Sequence, residues 1–310
     1  PVVAVVGPTA SGKSGLAVEV ALALGGEVFN ADAFQLYRGM DVGTAKPGRD
    51  VLAVAPHKLI DILDPAESYS AARFRADALA AMDEIRAAGR IPLLTGGTML
   101  YFDALQHGLS ELPSADPGLR AELERRLAAE GSSVLHAELM RLDPIAAARI
   151  HPNDPQRIQR ALEVCYISGR PLSELQGRRR VESGDYRYMK LALIPGERPL
   201  LHEIIERRFR SMMSEGFLGE VVKLRARGDL YGGLPSMRAV GYRQLWQHLD
   251  GEFDLPEAVR RGVVATRRYA KRQLTWLRSE PDVNSFDSYV PRFMDDVLAF
   301  VERSVTAAGV

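Results

Sequence analysis

Apolar runs and polar punctuation divide the chain into short alternating strands and helices. Val2–Val6 is an unbroken apolar run, followed by a glycine-containing loop and a helix with apolar positions Leu16, Ala17 and Val20. Glu27–Ala31 reads as a second strand and leaves Asp32 at its C-terminal end. Residues 39–57 hold Gly39, Gly43, Pro47, Gly48 and Pro56, which predicts loop with at most one helical turn. His57–Leu63 is a third strand candidate. Ser70–Gly89 is a helix with apolar positions Ala71, Phe74, Ala78, Met82 and Ile85, closed by Gly89. Ile91–Thr95 is a continuous apolar strand, the kind covered on both faces of a parallel sheet. This alternation predicts a doubly wound α/β core with ligands at the C-terminal strand ends.

The texture changes near residue 110. Asp116-Pro117 and Asp154-Pro155 each read as a helix cap followed by proline at the first helical position. Charged amphipathic helices are predicted at 117–130, 132–141, 144–150 and 155–168. Strand signal returns at Met189–Ile194, and helices follow at 199–214, 216–227, 237–249, 256–278 and near 291–306. The expected organisation is an α/β core from 1–109 and 187–310, interrupted by a helical insertion at 110–186.

Composition narrows the function classes. With 46% hydrophobic and 26% charged residues, the chain has ordinary globular character. Forty basic residues balance forty acidic ones, so any nucleic-acid binding has to come from local patches. Cys165 is the single cysteine, which excludes an internal disulfide or a cysteine-rich zinc module and agrees with a reducing cytoplasm. No apolar stretch reaches membrane-spanning length and no leader-like segment precedes the first strand. Without an apolar heptad or exposed stripe, a monomer is expected.

The loop after the first strand carries the clearest chemistry. Gly7, Pro8, Thr9, Ala10, Ser11, Gly12, Lys13 and Ser14 match G-x-x-x-x-G-K-[ST] between a strand and a helix, which makes the core P-loop NTPase-like. Glycines let successive N–H groups turn toward phosphate oxygens, and the helix N-terminus adds positive potential. Lys13 neutralises terminal phosphates, and the Ser14 hydroxyl is a typical Mg²⁺ ligand. Asp32 suits water-mediated Mg²⁺ binding or general-base work. Phe34 and Gln35 offer a ring and an amide to a base, and Gly96-Gly97-Thr98 ends a core strand with room for a close ligand. The segment 151–160 opens a helix with Gln156, Arg157 and Arg160, side chains suited to phosphates and base edges. Residues 258–278 hold seven Lys/Arg and no acid, with Arg260, Arg267, Lys271 and Arg278 along one helical line beside an apolar arc. Arg227, and the cluster from Arg238 to Arg243, are further basic candidates.

Taken together, the motifs GPTASGKS (7–14), NADAFQLYRGMDVGTAKP (30–47), GRIPLLTGGTMLYFDALQHGLS (89–110), ARIHPNDPQRIQRALEV (148–164), RARGDL (225–230), RAVGYRQLW (238–246) and AKRQLTWLR (270–278) closely resemble those of the tRNA dimethylallyltransferases, or tRNA isopentenyltransferases, over nearly the whole chain. The resemblance implies transfer of a dimethylallyl group from its diphosphate, with Mg²⁺, to N6 of the adenosine 3′ of a tRNA anticodon. It gives the loop residues Thr9–Ser14 the diphosphate, Asp32 the general base, Thr98 an acceptor contact and Arg227 the leaving group, with Lys13 assisting. It assigns tRNA contacts to Asp32, Ala33, Phe34 and Gln35, to Thr98, and to Gln156, Arg157, Ile158, Gln159 and Arg160. Further tRNA contacts are Arg238, Ala239, Val240, Gly241, Tyr242 and Arg243, then Lys271, Arg272, Gln273, Trp276 and Arg278, with Arg120 in addition. Ala33-Phe34-Gln35 departs from the family's usual serine after the aspartate, and Ser14 replaces the commoner threonine. Other readings are a phosphate-loop kinase, which would turn over ATP, and a prenyltransferase acting on free AMP or ADP. A free nucleotide needs neither the insertion nor the basic helix.

Overall fold

The computed structural model describes residues 1–176 and 186–307. In chain order the elements are β1 (Val2–Val6), α1 (Lys13–Leu24), β2 (Glu27–Asn30), α2 (Arg49–Val54), β3 (His57–Lys58), α3 (Ala71–Ala87), β4 (Pro92–Gly96) and α4 (Met99–His107). Then come α5 (Pro117–Glu130), α6 (Ser132–Leu142), α7 (Pro144–Arg149), α8 (Pro155–Ser168) and α9 (Leu172–Leu175). The remainder is β5 (Tyr188–Leu193), α10 (Arg198–Ser214), α11 (Phe217–Ala226), α12 (Tyr242–Leu249), α13 (Leu255–Ser279), β6 (Val283–Phe286) and α14 (Phe293–Ala307).

Two compact units emerge, one from Pro1–Leu105 with Gly184–Val310 and one from Gln106–Ser183. Residues 177–185, part of the expected insertion, lie outside the described residues. The first unit is built on a sheet of strand order β3-β2-β4-β1-β5-β6. Every pairing in it is parallel. The two-residue period of β1 feeds two cores: Val2, Ala4 and Val6 pack with Phe74, Met82 and Phe102, while Val3 and Val5 pack with Leu16, Val20 and Val301. A third core gathers Ile205, Phe209, Phe217, Met237, Tyr242 and Leu245 under the helices that follow the sheet. The other unit is helical, centred on Leu123, Leu135, Leu139, Ile158 and Leu162. Its helices start where Asp116, Asp143 and Asp154 cap first-turn N–H groups ahead of a proline.

The third strand is much shorter than expected. It ends at Lys58 because Leu59 (φ 61) and Asp61 (φ 55) turn left-handed, and only a Tyr37–Leu63 bridge continues the pairing. The helix expected at 237–249 is likewise broken, into a 3-10 turn at Ser236–Arg238 and α12. Gly241 makes the break at φ 92, where a Cβ would sit 2.7 Å from the Phe217 ring. Helices α4 and α9 and the edge strand β6 carry no strong pattern in the sequence.

Candidate active site

The C-terminal ends of β1, β2 and β4 converge on one cleft within the first unit. β1 delivers the phosphate loop, whose Gly12 (φ 84) and Ala10 (φ 67) are left-handed and whose helix α1 begins at Lys13 without a side-chain cap. Tyr289 steadies the loop by donating to the Ala10 carbonyl (3.1 Å). Ser11 Oγ and Thr95 Oγ1 are buried without protein partners. Buried unpaired hydroxyls at a loop of this kind point to a polar ligand.

β2 delivers Asp32. Its N–H donates to Asn30 Oδ1 (3.2 Å), its Oδ1 accepts from the Phe34 N–H (2.9 Å), and the Ala33 N–H donates to Thr98 Oγ1 (2.9 Å). The carboxylate is thus aimed by its own turn, with Oδ2 left over. β2 and β4 approach closely here because residue 96 is glycine: a Cβ there would lie 2.3 Å from the Ala31 carbonyl carbon.

Two adjoining cavities share the lining residues Thr9, Ala10, Asp32, Thr44, Arg208 and Tyr269. The first, about 250 Å³, has apolar walls from Phe34, Ile205, Phe209, Met212 and Val240. The second, about 280 Å³, is polar and holds Lys13, Ser14, Asn30, Thr95 and Gln273. Burial of the Lys13 ammonium, with repulsion from Arg208, lowers its pKa to about 8 against the opposing pull of Asp32. Burial also lowers that of Arg208, again opposed by Asp32. Arg208 makes no ion pair or hydrogen bond to any described residue. A partly buried guanidinium without a partner at a junction of two cavities is a ready anion site. Its sequence signal was its place among Leu201, Ile205, Phe209 and Met212, on the apolar side of α10, where a charge is out of pattern.

Arg227 is elsewhere. Its guanidinium is held by Asp64 (2.8 and 3.1 Å) and Asp229 (2.7 and 3.0 Å), and it lines neither cavity. Arg208, and not Arg227, is the arginine that lines both cavities. Thr98 lines neither cavity; it braces the Asp32 turn and reaches the Tyr269 hydroxyl. The Thr9 N–H donates to Gln273 Oε1 (2.8 Å) and is already engaged within the protein.

Several expected RNA contacts are structural. Tyr242 is fully buried with its hydroxyl on Glu220, and Ile158 is fully buried in the helical unit. Gln35 donates to the Thr44 and Ala45 carbonyls, and Gln273 is 2% exposed with both amide ends engaged. Trp276 packs partly buried against Phe102, and Gly241 is a buried helix start. In the helical unit Arg120 and Arg160 both hold the fully buried carboxylate of Glu163, and Gln159 donates to the Arg120 carbonyl. Gln156 and Arg157 remain exposed. On α13, Arg260 and Arg261 are both claimed by Glu257, one residue before the acid-free run, and Arg267 by Glu206. Lys271, Arg272 and Arg278 are exposed, and Arg243, Arg268 and Arg272 line a basic groove beside the apolar cavity, which Arg238, Ala239 and Val240 help to form. Ala33 and Phe34 are partly exposed, and Phe34 lines the apolar cavity. Among the described residues, no His, Cys, Asp or Glu side chains cluster as a metal centre, and no helix is long and apolar enough to cross a membrane.

The family model described as IPP transferase matches residues 35–280, and one described as isopentenyl transferase matches residues 1–56. The chain is 55% identical over 295 residues to a tRNA dimethylallyltransferase of Methylococcus capsulatus, covering 95% of each. It is 57% identical over 283 residues to one of Thioalkalivibrio sulfidiphilus, covering 91% of this chain and 88% of that one. The structure resembles the full-length tRNA isopentenylpyrophosphate transferase of Bacillus halodurans (TM-score 0.73, 39% identity, 99% and 97% of the two chains). It also resembles a eukaryotic dimethylallyltransferase captured acting on tRNA (TM-score 0.75, 25% identity, 93% and 73%).

Proposed function

The chain belongs to the IPP transferase family, and on that premise we propose that it moves a dimethylallyl group from dimethylallyl diphosphate to N6 of the adenosine immediately 3′ of a tRNA anticodon. The observation that carries this reading is the junction of the two cavities, where Asp32 and Arg208 lie between a polar phosphate cradle and an apolar chamber with a basic rim.

The donor's diphosphate fits the polar cavity, over the loop N–H groups, Lys13 and Arg208. Its short apolar group fits the neighbouring chamber near Phe209 and Met212. The C1–O bond breaks as the C1–N6 bond forms, and the N6 proton passes to Asp32 Oδ2. Adenine N6 is a poor nucleophile because its lone pair is delocalised, so proton removal and in-line placement both matter. Negative charge growing on the diphosphate is met by Lys13, Arg208 and the start of α1. Mg²⁺ fits beside the exposed Ser14 hydroxyl, since this ion binds through few protein ligands plus substrate phosphates; when bound it neutralises charge on the leaving group. The acceptor base must leave its stack to reach Asp32, and the groove of Arg243, Arg268 and Arg272 would hold the flanking phosphates. A free nucleotide would leave that groove unused. We read the protein as a cytoplasmic monomer, because one chain lines both cavities and its single cysteine suits a reducing compartment.

The test is mass analysis of nucleosides from tRNA incubated with the protein, dimethylallyl diphosphate and Mg²⁺. A five-carbon gain on one adenosine is expected; gain only on free AMP, or phosphate transfer from ATP, would overturn the reading.

A further inference from the structure

We propose that Gln273 is the positioning residue that fixes the distance between the diphosphate cradle and the general base, and does so from the buried side of the RNA-facing helix. This rests on the reading given above and concerns a residue whose place on a basic helix suggested only RNA contact.

Gln273 is 2% exposed. Its Oε1 accepts from the Thr9 N–H in the phosphate loop (2.8 Å), and its Nε2 donates to the Gly97 carbonyl at the end of β4 (2.8 Å). The same carbonyl accepts from the Tyr269 hydroxyl, one turn earlier on α13 (2.9 Å). Thr98, next in sequence to Gly97, accepts from the Ala33 N–H (2.9 Å), and Ala33 follows Asp32. One amide therefore ties the cradle to the brace of the base across chain separations of 264 and 176 residues. The amide supplies an acceptor and a donor in one plane, so one side chain can meet both groups at once. The fit is tight from the other side too, since a Cβ at Gly97 would lie 2.5 Å from Gln273 Nε2. Lys271 and Arg272 on the same helix are exposed. RNA that seats against them bears on the element that sets the spacing of the reacting groups.

The test uses Gln273→Glu, Gln273→Ala and Gly97→Ala in the full chain, with single-turnover transfer to tRNA, tRNA binding and thermal melting. Gln273→Ala should slow the chemical step by about 10–100-fold, the range for small misplacement of reacting groups, while tRNA affinity stays within about twofold of wild type. For Gln273→Glu, activity relative to wild type should recover as the pH is lowered, because a protonated carboxyl donates to the Gly97 carbonyl while its other oxygen accepts from Thr9. Lys13, Asp32, His57 and Arg208 line the same cavity and Tyr269 shares the helix; all are present in wild type as well, so the ratio isolates residue 273. Gly97→Ala should slow the step too, and adding it to Gln273→Ala should cost little more than the slower single change. A wild-type transfer rate in Gln273→Ala, a flat ratio across pH, or fully additive losses would overturn the proposal. If Gln273→Ala does not melt cooperatively, Gly97→Ala and Gln273→Glu decide alone. If wild type transfers no prenyl group, it is the proposed function that fails.

Discussion

Arg208→Gln should cripple transfer, while Arg227→Gln should hardly affect it. Arg208 lines both cavities, lies partly buried and has no ion pair or hydrogen bond among the described residues, so its charge is available to a ligand. A unit charge about 4 Å from another interacts by about 4 kcal/mol at an effective dielectric near 20. Loss of one preorganised donor to growing charge costs about 2.7–4 kcal/mol, or roughly 10²–10³ in rate. The donor is already anionic before reaction, so part of the loss should appear as weaker donor binding. Arg227 is different because Asp64 and Asp229 hold its guanidinium and the side chains are 33%, 36% and 51% exposed. Such surface pairs contribute about 0–1 kcal/mol, which limits the effect of Arg227→Gln to a small drop in melting temperature and about threefold in rate. The assay is single-turnover transfer at saturating tRNA over a range of dimethylallyl diphosphate, with the modified nucleoside quantified after digestion. Equal losses in the two variants, or a mild Arg208→Gln, would refute the placement of the leaving group.

Other outcomes follow from the same geometry. Asp32→Asn should lower the single-turnover rate by about 10²–10⁴-fold with tRNA affinity near wild type, and a fast variant in stopped-time assays would remove Asp32 as base. Lys13 in the free protein has its pKa lowered to about 8, and its charged form binds the diphosphate, so kcat/KM for the donor should fall as pH rises through that value; a profile flat to pH above 9 would contradict this. Glu163→Ala should destabilise the helical unit by about 1.5–3 kcal/mol, since the buried carboxylate accepts from Arg120, Arg160 and the Asp116 N–H while the arginines left behind stay partly exposed, visible as a lowered melting transition. Burial opposes ionisation of Glu163, but hydrogen bonds from Arg160 and Arg120 hold its pKa below the usual value. Its stabilisation is therefore present at neutral pH and lost as pH falls below the ordinary carboxylate range. Neutralising Lys271, Arg272 and Arg278 should reduce the salt dependence of tRNA binding by about two to three counterions, measured as the slope of log affinity against log salt; an unchanged slope would move the RNA site.

Local pattern alone determined much of this protein. The apolar runs at Val2–Val6 and Ile91–Thr95, the glycine-lysine-serine loop between strand and helix, and the aspartate-proline helix starts each impose their structure on a few neighbouring residues. That is why β1, β4, α1, α5 and α8 are legible within a residue or two, and why Lys13 and Asp32 stand out in the sequence as cleft candidates. Partnership was not legible, because it joins residues far apart in the chain. Glu257 holds Arg260 and Arg261 from one turn away on the same helix, but that Arg267 is held by Glu206, 61 residues off, is not visible in the sequence. Arg208 and Arg227 are both arginines near helix positions in the sequence, and only packing gave the first to the cleft and folded two carboxylates against the second. Gln273 resembles an RNA contact by position, yet burial turned its amide toward Thr9 and Gly97. Helical period and loop chemistry act over one turn, and the sequence settles them. Which charge stays free, and which amide ties the cleft together, depends on groups that other elements bring up, Asp64 to Arg227 across 163 residues and Thr9 and Gly97 to Gln273 across 264 and 176, and only the tertiary structure brings them together.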